Sequence, residues 1–259
     1  MYTKSDLKAD LAAMGLQGHE TVIIHSSLKS IGEVENRADG ILDALEEFFA
    51  PGLLIFPSMT YSTVNAKQPV YSVRDTPCCV SMLPELFRRR PGVIRSLHPT
   101  HAVAAIGKGA AEFVSGHEKF DSPAHPDSPW GKIYKRNGYI MFVGTGTIHC
   151  NTFLHGVEEW LPVPCMLTDY HEPLVVFDYD GKRIEVPSRR HVGSHSKWYN
   201  LLQPTFREAG ILKEGKFGDA KVFLLEARKA GDIVYELLKK EPLFFTDEYQ
   251  ASKGVTDWH

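Results

Sequence analysis

Thr21-Val22-Ile23-Ile24-His25 is a short apolar, β-branched run, and residues 53–57 repeat the pattern as Leu53-Leu54-Ile55-Phe56-Pro57. Between them, Ile41, Leu42, Leu45, Phe48 and Phe49 recur at helical spacing over residues 38–49, and Pro51-Gly52 closes that helix. Continuous apolar runs of this length read as buried strands, and recurrence at i, i+3 and i+4 reads as a helix packed on one face. Strand, helix and strand in this order form a βαβ unit, whose two strands lie parallel under a covering helix. An α/β protein is therefore expected.

The same patterns extend outward. Residues 102–106 and 139–143 read as further strands, and 174–186 as a hairpin around Asp180-Gly181. Residues 5–14 read as a helix with Ser5 as N-cap and Gly15 as its stop. Helices are also expected over residues 83–90, 109–117, from 152, and over 219–238. Residues 61–80 read as mostly loop and 120–131 as a loop, and long loops in compact domains are often functional. No repeat or linker interrupts the pattern, so residues 1–259 are expected to form one domain, with a small substrate-side subregion at 165–200.

Composition narrows the function classes. A net charge of −3 gives no bulk attraction to nucleic acid. The basic clusters Arg88-Arg89-Arg90 and Arg189-Arg190 read as solvated helix ends or loops. The N-terminus lacks the apolar core of a signal peptide, and no apolar run reaches the ~20 residues of a membrane span. Cys78, Cys79, Cys150 and Cys165 lack zinc spacing and make a poor disulfide framework, so a reduced, cytoplasmic setting is expected. Cys150 and Cys165 are read as small packed hydrophobes.

Ligands of α/β enzymes sit beyond the strand ends. His25-Ser26-Ser27-Leu28-Lys29-Ser30 follows the first strand, and Pro57-Ser58-Met59-Thr60-Tyr61 follows the second. Gly144-Thr145-Gly146-Thr147 follows the strand at 139–143 and is neither a dinucleotide fingerprint nor a P-loop. Arg95-Ser96-Leu97-His98-Pro99-Thr100-His101 is a polar run whose arginine suits phosphate. In Thr152-Phe153-Leu154-His155-Gly156-Val157-Glu158-Glu159, His155 shares a helical face with Glu158 and Glu159. A carboxylate raises the basicity of an imidazole and fixes its tautomer, as a general base near neutral pH requires. G-x-S-x-G and H-E-x-x-H are absent, and His191-x-x-x-His195 is a weak zinc pair, so no metal is expected.

Five stretches together resemble the aminoglycoside 3-N-acetyltransferase family, antibiotic N-acetyltransferases outside the GNAT fold: HSSLKSIG at 25–32, LLIFPSMT at 53–60, LPELFRRRPGVIRSLHPTHAVAAIGKGA at 83–110, DSPWGKI at 127–133 and TFLHGVEE at 152–159. The resemblance implies an α/β/α sandwich with a largely parallel or mixed central sheet. It implies acetyl-CoA as donor and an amine of an aminocyclitol or amino sugar as acceptor. His155 then looks like the general base and Glu158 its orienting carboxylate. His25, Ser26, Ser27, Leu28 and Lys29 look like one wall of the CoA site, and Arg95, Ser96, His98 and Thr100 like the second. Thr60, Tyr61, Asp127, Glu158 and Glu159 are the candidates for holding the acceptor, although the histidine-to-glutamate spacing favours Glu158 and leaves Glu159 as a solvated neighbour. Two departures stand out: Gly156-Val157 replaces a larger-then-small pair, and Ala102 stands where serine is common.

The expected chemistry is direct attack of the deprotonated amine on the thioester, in a ternary complex, with His25, Ser26 or Ser27 serving the oxyanion. The expected partners are CoA and a small amine, with no nucleic acid or membrane, and a monomer or homodimer. Two rivals are a CoA-binding protein without aminoglycoside turnover and a metal-dependent hydrolase built on the histidines.

Overall fold

The computed structural model describes residues 1–161, 163–164 and 166–256. Cys165, expected to pack as a small hydrophobe, lies outside the described residues.

Ten strands form two sheets: β1 (Thr21–Ser26), β2 (Leu53–Pro57), β3 (Val70–Ser72), β4 (Ile94–Arg95), β5 (Val103–Gly107), β6 (Tyr139–Val143), β7 (Val175–Phe177), β8 (Arg183–Glu185), β9 (Leu212–Phe217) and β10 (Ala220–Glu226). The helices are α1 (Lys4–Ala13), α2 (Arg37–Phe48), α3 (Met82–Phe87), α4 (Ala110–Val114), α5 (Pro129–Lys135), α6 (Thr152–Trp160), α7 (Gln203–Glu208), α8 (Ala227–Lys240) and α9 (Asp247–Ser252), with a 3₁₀ segment at His195–Leu202.

The main sheet has seven strands in the order β4-β5-β2-β1-β6-β10-β9. β1 runs parallel to β2 and β6, as the βαβ reading requires. β5 is antiparallel to β2 and β10 is antiparallel to β6, so the sheet is mixed, with a parallel centre.

Period-2 alternation sends successive side chains to opposite faces. On one face Val22, Ile24, Leu54, Phe56 and Met141 pack under Leu7 and Leu11 of α1, Ile41 and Leu45 of α2 and Phe87 of α3. On the other, Ile23, Ile55, Ile140 and Phe142 pack under Phe113 of α4, Trp130 of α5, Phe153 and Val157 of α6 and Val234 of α8. Helix, sheet and helix make three layers. A second sheet, β3-β7-β8, buries Tyr71, Leu174, Val176 and Val186 in its own cluster, and its β7–β8 pair is the expected hairpin around Asp180-Gly181.

Two expectations are corrected. Thr3, not Ser5, caps α1, because Thr3 and Asp6 bond reciprocally across the first turn. The tail expected to be helical from residue 219 begins as strand β10, which pairs with β9 through the turn at Gly218 and Asp219, and helix α8 starts only at Ala227. Residues 61–80 are mostly without regular structure, as expected, and the three-residue strand β3 within them pairs with β7.

Candidate active site

The parallel strands β1, β2 and β6 end at one edge of the sheet, and a cavity of about 430 Å³ opens there. β1 contributes His25 and Ser26, the chain beyond β2 contributes Pro57, Met59 and Tyr61, and the chain beyond β6 contributes Thr145. Residues 149–152 and His155 supply the α6 side, and Arg190 and His191 close the wall. Gly144 lets the chain turn here: its φ is +66°, and a Cβ would stand 2.3 Å from the Cβ of Ser30. Ser30 Oγ donates to the Gly144 carbonyl and lies 3.0 Å from Ser27 Oγ, from which it can accept, tying the turns after β1 and β6 together.

His155 lies one turn into α6 with its side chain 17% exposed, and its Nδ1 is 3.4 Å from Oε2 of fully buried Glu158. The Tyr199 hydroxyl donates to that same Oε2 and lies 2.6 Å from Nδ1 of His155. A phenol has one proton to give, so its oxygen accepts from Nδ1–H of His155. The neutral imidazole therefore carries its proton on Nδ1 and its lone pair on Nε2. His195 completes the carboxylate from the other side, with Nδ1 2.6 Å from Oε1. Burial alone would raise the Glu158 carboxyl, but the hydrogen bonds from His155 and His195 outweigh it and hold it at about 2.

Glu159 is not solvated. Its carboxylate accepts the Ala124 N–H at 2.9 Å and meets Nε2 of His191 at 2.5 Å. Burial pushes it up to about 7, while burial and the neighbouring His155 hold His191 well below the usual imidazole range. The His191 ring stacks on His155 at 4.6 Å. Gly156 packs closely on Ala124, where an added Cβ would lie 3.3 Å from the Ala124 side chain. His191 and His195 thus bond two different glutamates. Tyr199, His191 and His195 were not foreseen as parts of the site; only the His191-x-x-x-His195 spacing drew attention to the segment, and as a metal pair.

A family model described as aminoglycoside 3-N-acetyltransferase matches residues 23–239. The chain belongs to that family. Aminoglycoside N(3)-acetyltransferase VII of Streptomyces paromomycinus is 27% identical over 89% of this chain and 89% of its own. The crystal structure of an AAC(3)-IVa variant in complex with apramycin aligns with a TM-score of 0.78 at 25% identity, covering 95% of this chain and 96% of that one. The structure of AAC-IIIb with CoASH shares the fold, with a TM-score of 0.80 at 20% identity, over 93% of this chain and 97% of that one.

In this family member the remaining expected site residues divide into two groups. His25, Ser26 and Tyr61 face the cavity. His25 stacks on Phe142 at 5.2 Å, and burial, then the charge of His149, pushes its imidazole down to about 3. Its Nε2 and the Ser26 hydroxyl are buried without a hydrogen-bond partner. The other group does not line the cavity. Ser27 gives its N–H to the Val143 carbonyl, Leu28 packs on the α1–α2 side of the sheet, and Lys29 is exposed. Arg95 is buried, with Nη1 2.7 Å from the Thr76 carbonyl and Nη2 2.7 Å from that of Ser58, so its guanidinium is spent on backbone rather than phosphate. Ser96 bonds His117, and His98 accepts the N–H groups of Thr100 and His101 inside the protein. Thr100 bonds the His101 ring at 2.9 Å, and Thr60 donates to the Pro99 carbonyl. Asp127 is exposed and paired with Lys135, and Glu158 and Glu159 stand behind the histidines.

Two further readings are corrected. Cys150 is exposed on the cavity wall, 3.0 Å from Nε2 of His149, rather than packed inside. Arg190 is not a solvated loop residue: it bonds Glu172 and the carbonyls of Tyr61 and Val64, fastening the small sheet to the cavity rim. Among the described residues, no helix is long and apolar enough to cross a membrane.

Proposed function

We propose that the protein transfers an acetyl group from acetyl-CoA to the 3-amino group of an aminoglycoside, by direct attack with His155 as general base. One observation carries the reading: a buried, ionised Glu158 and the Tyr199 hydroxyl both face Nδ1 of His155, and His155 lines the cavity at the strand ends of an aminoglycoside 3-N-acetyltransferase family member. The unpartnered polar atoms of His25 and Ser26 fit the amide groups of a pantetheine arm, and AAC-IIIb is a fold relative solved with CoASH.

An ammonium has no lone pair, so the acceptor must lose a proton at or before attack. That first proton leaves to solvent; as the neutral amine attacks, Nε2 of His155 takes a second N–H proton, and the imidazolium that forms keeps Nδ1–H on the Tyr199 and Glu158 oxygens. The amine nitrogen bonds the thioester carbonyl carbon, the carbonyl π pair moves to oxygen, and collapse expels the CoA thiolate. His155 returns the proton to that sulfur, giving an amide and CoA thiol. A positioned base of this kind contributes ~10²–10⁴-fold. His155→Ala is therefore expected to lose at least ~10²-fold in CoA thiol release with acetyl-CoA and an aminoglycoside. Retention of more than about a tenth of the activity would remove His155 as the base.

A second reading, acetylation of a less cationic amine such as a simple amino sugar, is favoured by the wall itself. The described lining residues include Arg190 and several histidines but neither Asp nor Glu. An acceptor panel running from a polycationic aminoglycoside to a monoamino sugar separates the two by kcat/KM. Tight CoA binding without thiol release across that panel would overturn both.

A further inference from the structure

Asn151 precedes α6 and occupies its N-cap position with φ −115° and ψ 82°. Asparagine there ordinarily turns its side-chain oxygen onto the N–H groups of the first turn. Asn151 does not: no side-chain cap bond forms, and both Oδ1 and Nδ2 are buried without a partner in a residue only 1% exposed. The first N–H groups of a helix have no partner within it, so those of Thr152 and Phe153 at the start of α6 are open to one from outside the helix. Buried amides are nearly always satisfied, so a native site that leaves one open points to a partner from outside the chain. Asn151 lines the same cavity as His155, together with Ser26 and His25, whose Oγ and Nε2 are equally unpartnered. The positive end of the nine-residue helix α6 adds a field that favours negative charge at this point.

We propose that Asn151 is a catalytic residue whose carboxamide N–H, backed by the first-turn N–H groups of α6, donates to the thioester carbonyl oxygen as that oxygen gains charge. The inference rests on the acetyl-transfer reading. When the amine nitrogen bonds the carbonyl carbon, the π pair moves to the oxygen beside Nδ2 of Asn151, and His155 removes the nitrogen's proton. Collapse returns the pair to the C=O bond as the C–S bond breaks. Oδ1 is an acceptor for the second N–H of the attacking amine. A donor aimed at developing charge acts on the transition state more than on the bound substrate, so its loss lowers kcat and leaves KM nearly unchanged.

The test uses two variants. Asn151→Ala removes the carboxamide. Asn151→Asp keeps its volume and supplies an acceptor suited to a helix start, but replaces the donor. Both are expected to lower kcat for CoA thiol release by ~10²–10³-fold, with the KM for acetyl-CoA within threefold of wild type. Thermal melting of Asn151→Asp is expected not to fall below wild type. Either variant retaining more than about a tenth of wild-type kcat would overturn the assignment while leaving acetyl transfer standing. A wild-type enzyme that releases no thiol with any amine would overturn both.

Discussion

The hydroxyl of Tyr199 lies 2.6 Å from Nδ1 of His155, although the two residues are 44 positions apart and belong to different elements. The same hydroxyl donates to Glu158, so one phenol ties the imidazole to the buried carboxylate. Tyr199→Phe removes that link without emptying the core, where the ring packs at 4.9 Å against Phe245. A hydrogen bond to a charged group is worth about 1.5–3 kcal/mol, so kcat is expected to drop ~10–10²-fold. A steady-state kcat within twofold of wild type would show that Glu158 alone orients His155.

Glu158 and Glu159 make opposite contributions to stability. Glu158 is held at about 2 in the folded protein, below its ordinary 4.5, so it stabilises the fold above pH 4.5 and that stability is lost as pH falls through 2. Glu159 is raised from 4.5 to about 7, so ionising it costs stability that accumulates as pH rises from 4.5 to 7. Glu159→Gln keeps the shape and removes the ionisation. Its melting temperature relative to wild type is expected to rise between pH 5 and pH 8, as its unfolding free energy gains on the order of 1–3 kcal/mol over wild type. Glu158→Gln is expected to be destabilising at pH 7. Parallel pH–Tm curves for wild type and Glu159→Gln would refute the assignment.

Arg95 is a strut. Its guanidinium lies 4.9 Å from the Tyr71 ring and bonds the carbonyls of Ser58 and Thr76, on either side of β3. Arg95→Ala leaves those carbonyls unsatisfied, at about 1–3 kcal/mol each. The expected result is a lower melting temperature with the KM for acetyl-CoA within threefold. A KM rise of tenfold or more with unchanged melting would instead make Arg95 a CoA ligand.

The sequence by itself determined the parallel centre of the sheet and the pairing of His155 with Glu158. Both are local: a βαβ unit is written in one contiguous stretch, and residues at i and i+3 meet on any helix. The β9–β10 pair escaped because Lys213-Glu214-Gly215-Lys216 is a polar run on an edge strand, and only its antiparallel partner β10 makes it a strand. Tertiary structure alone decided that Glu159 is buried, since Ala124 and His191 close over it from distant segments. It also decided that Arg95 and His98 support the fold from inside, and that Tyr199 and His195 converge on Glu158. Hydrogen bonds across such separations follow from how the layers pack, and no spacing along the chain encodes them.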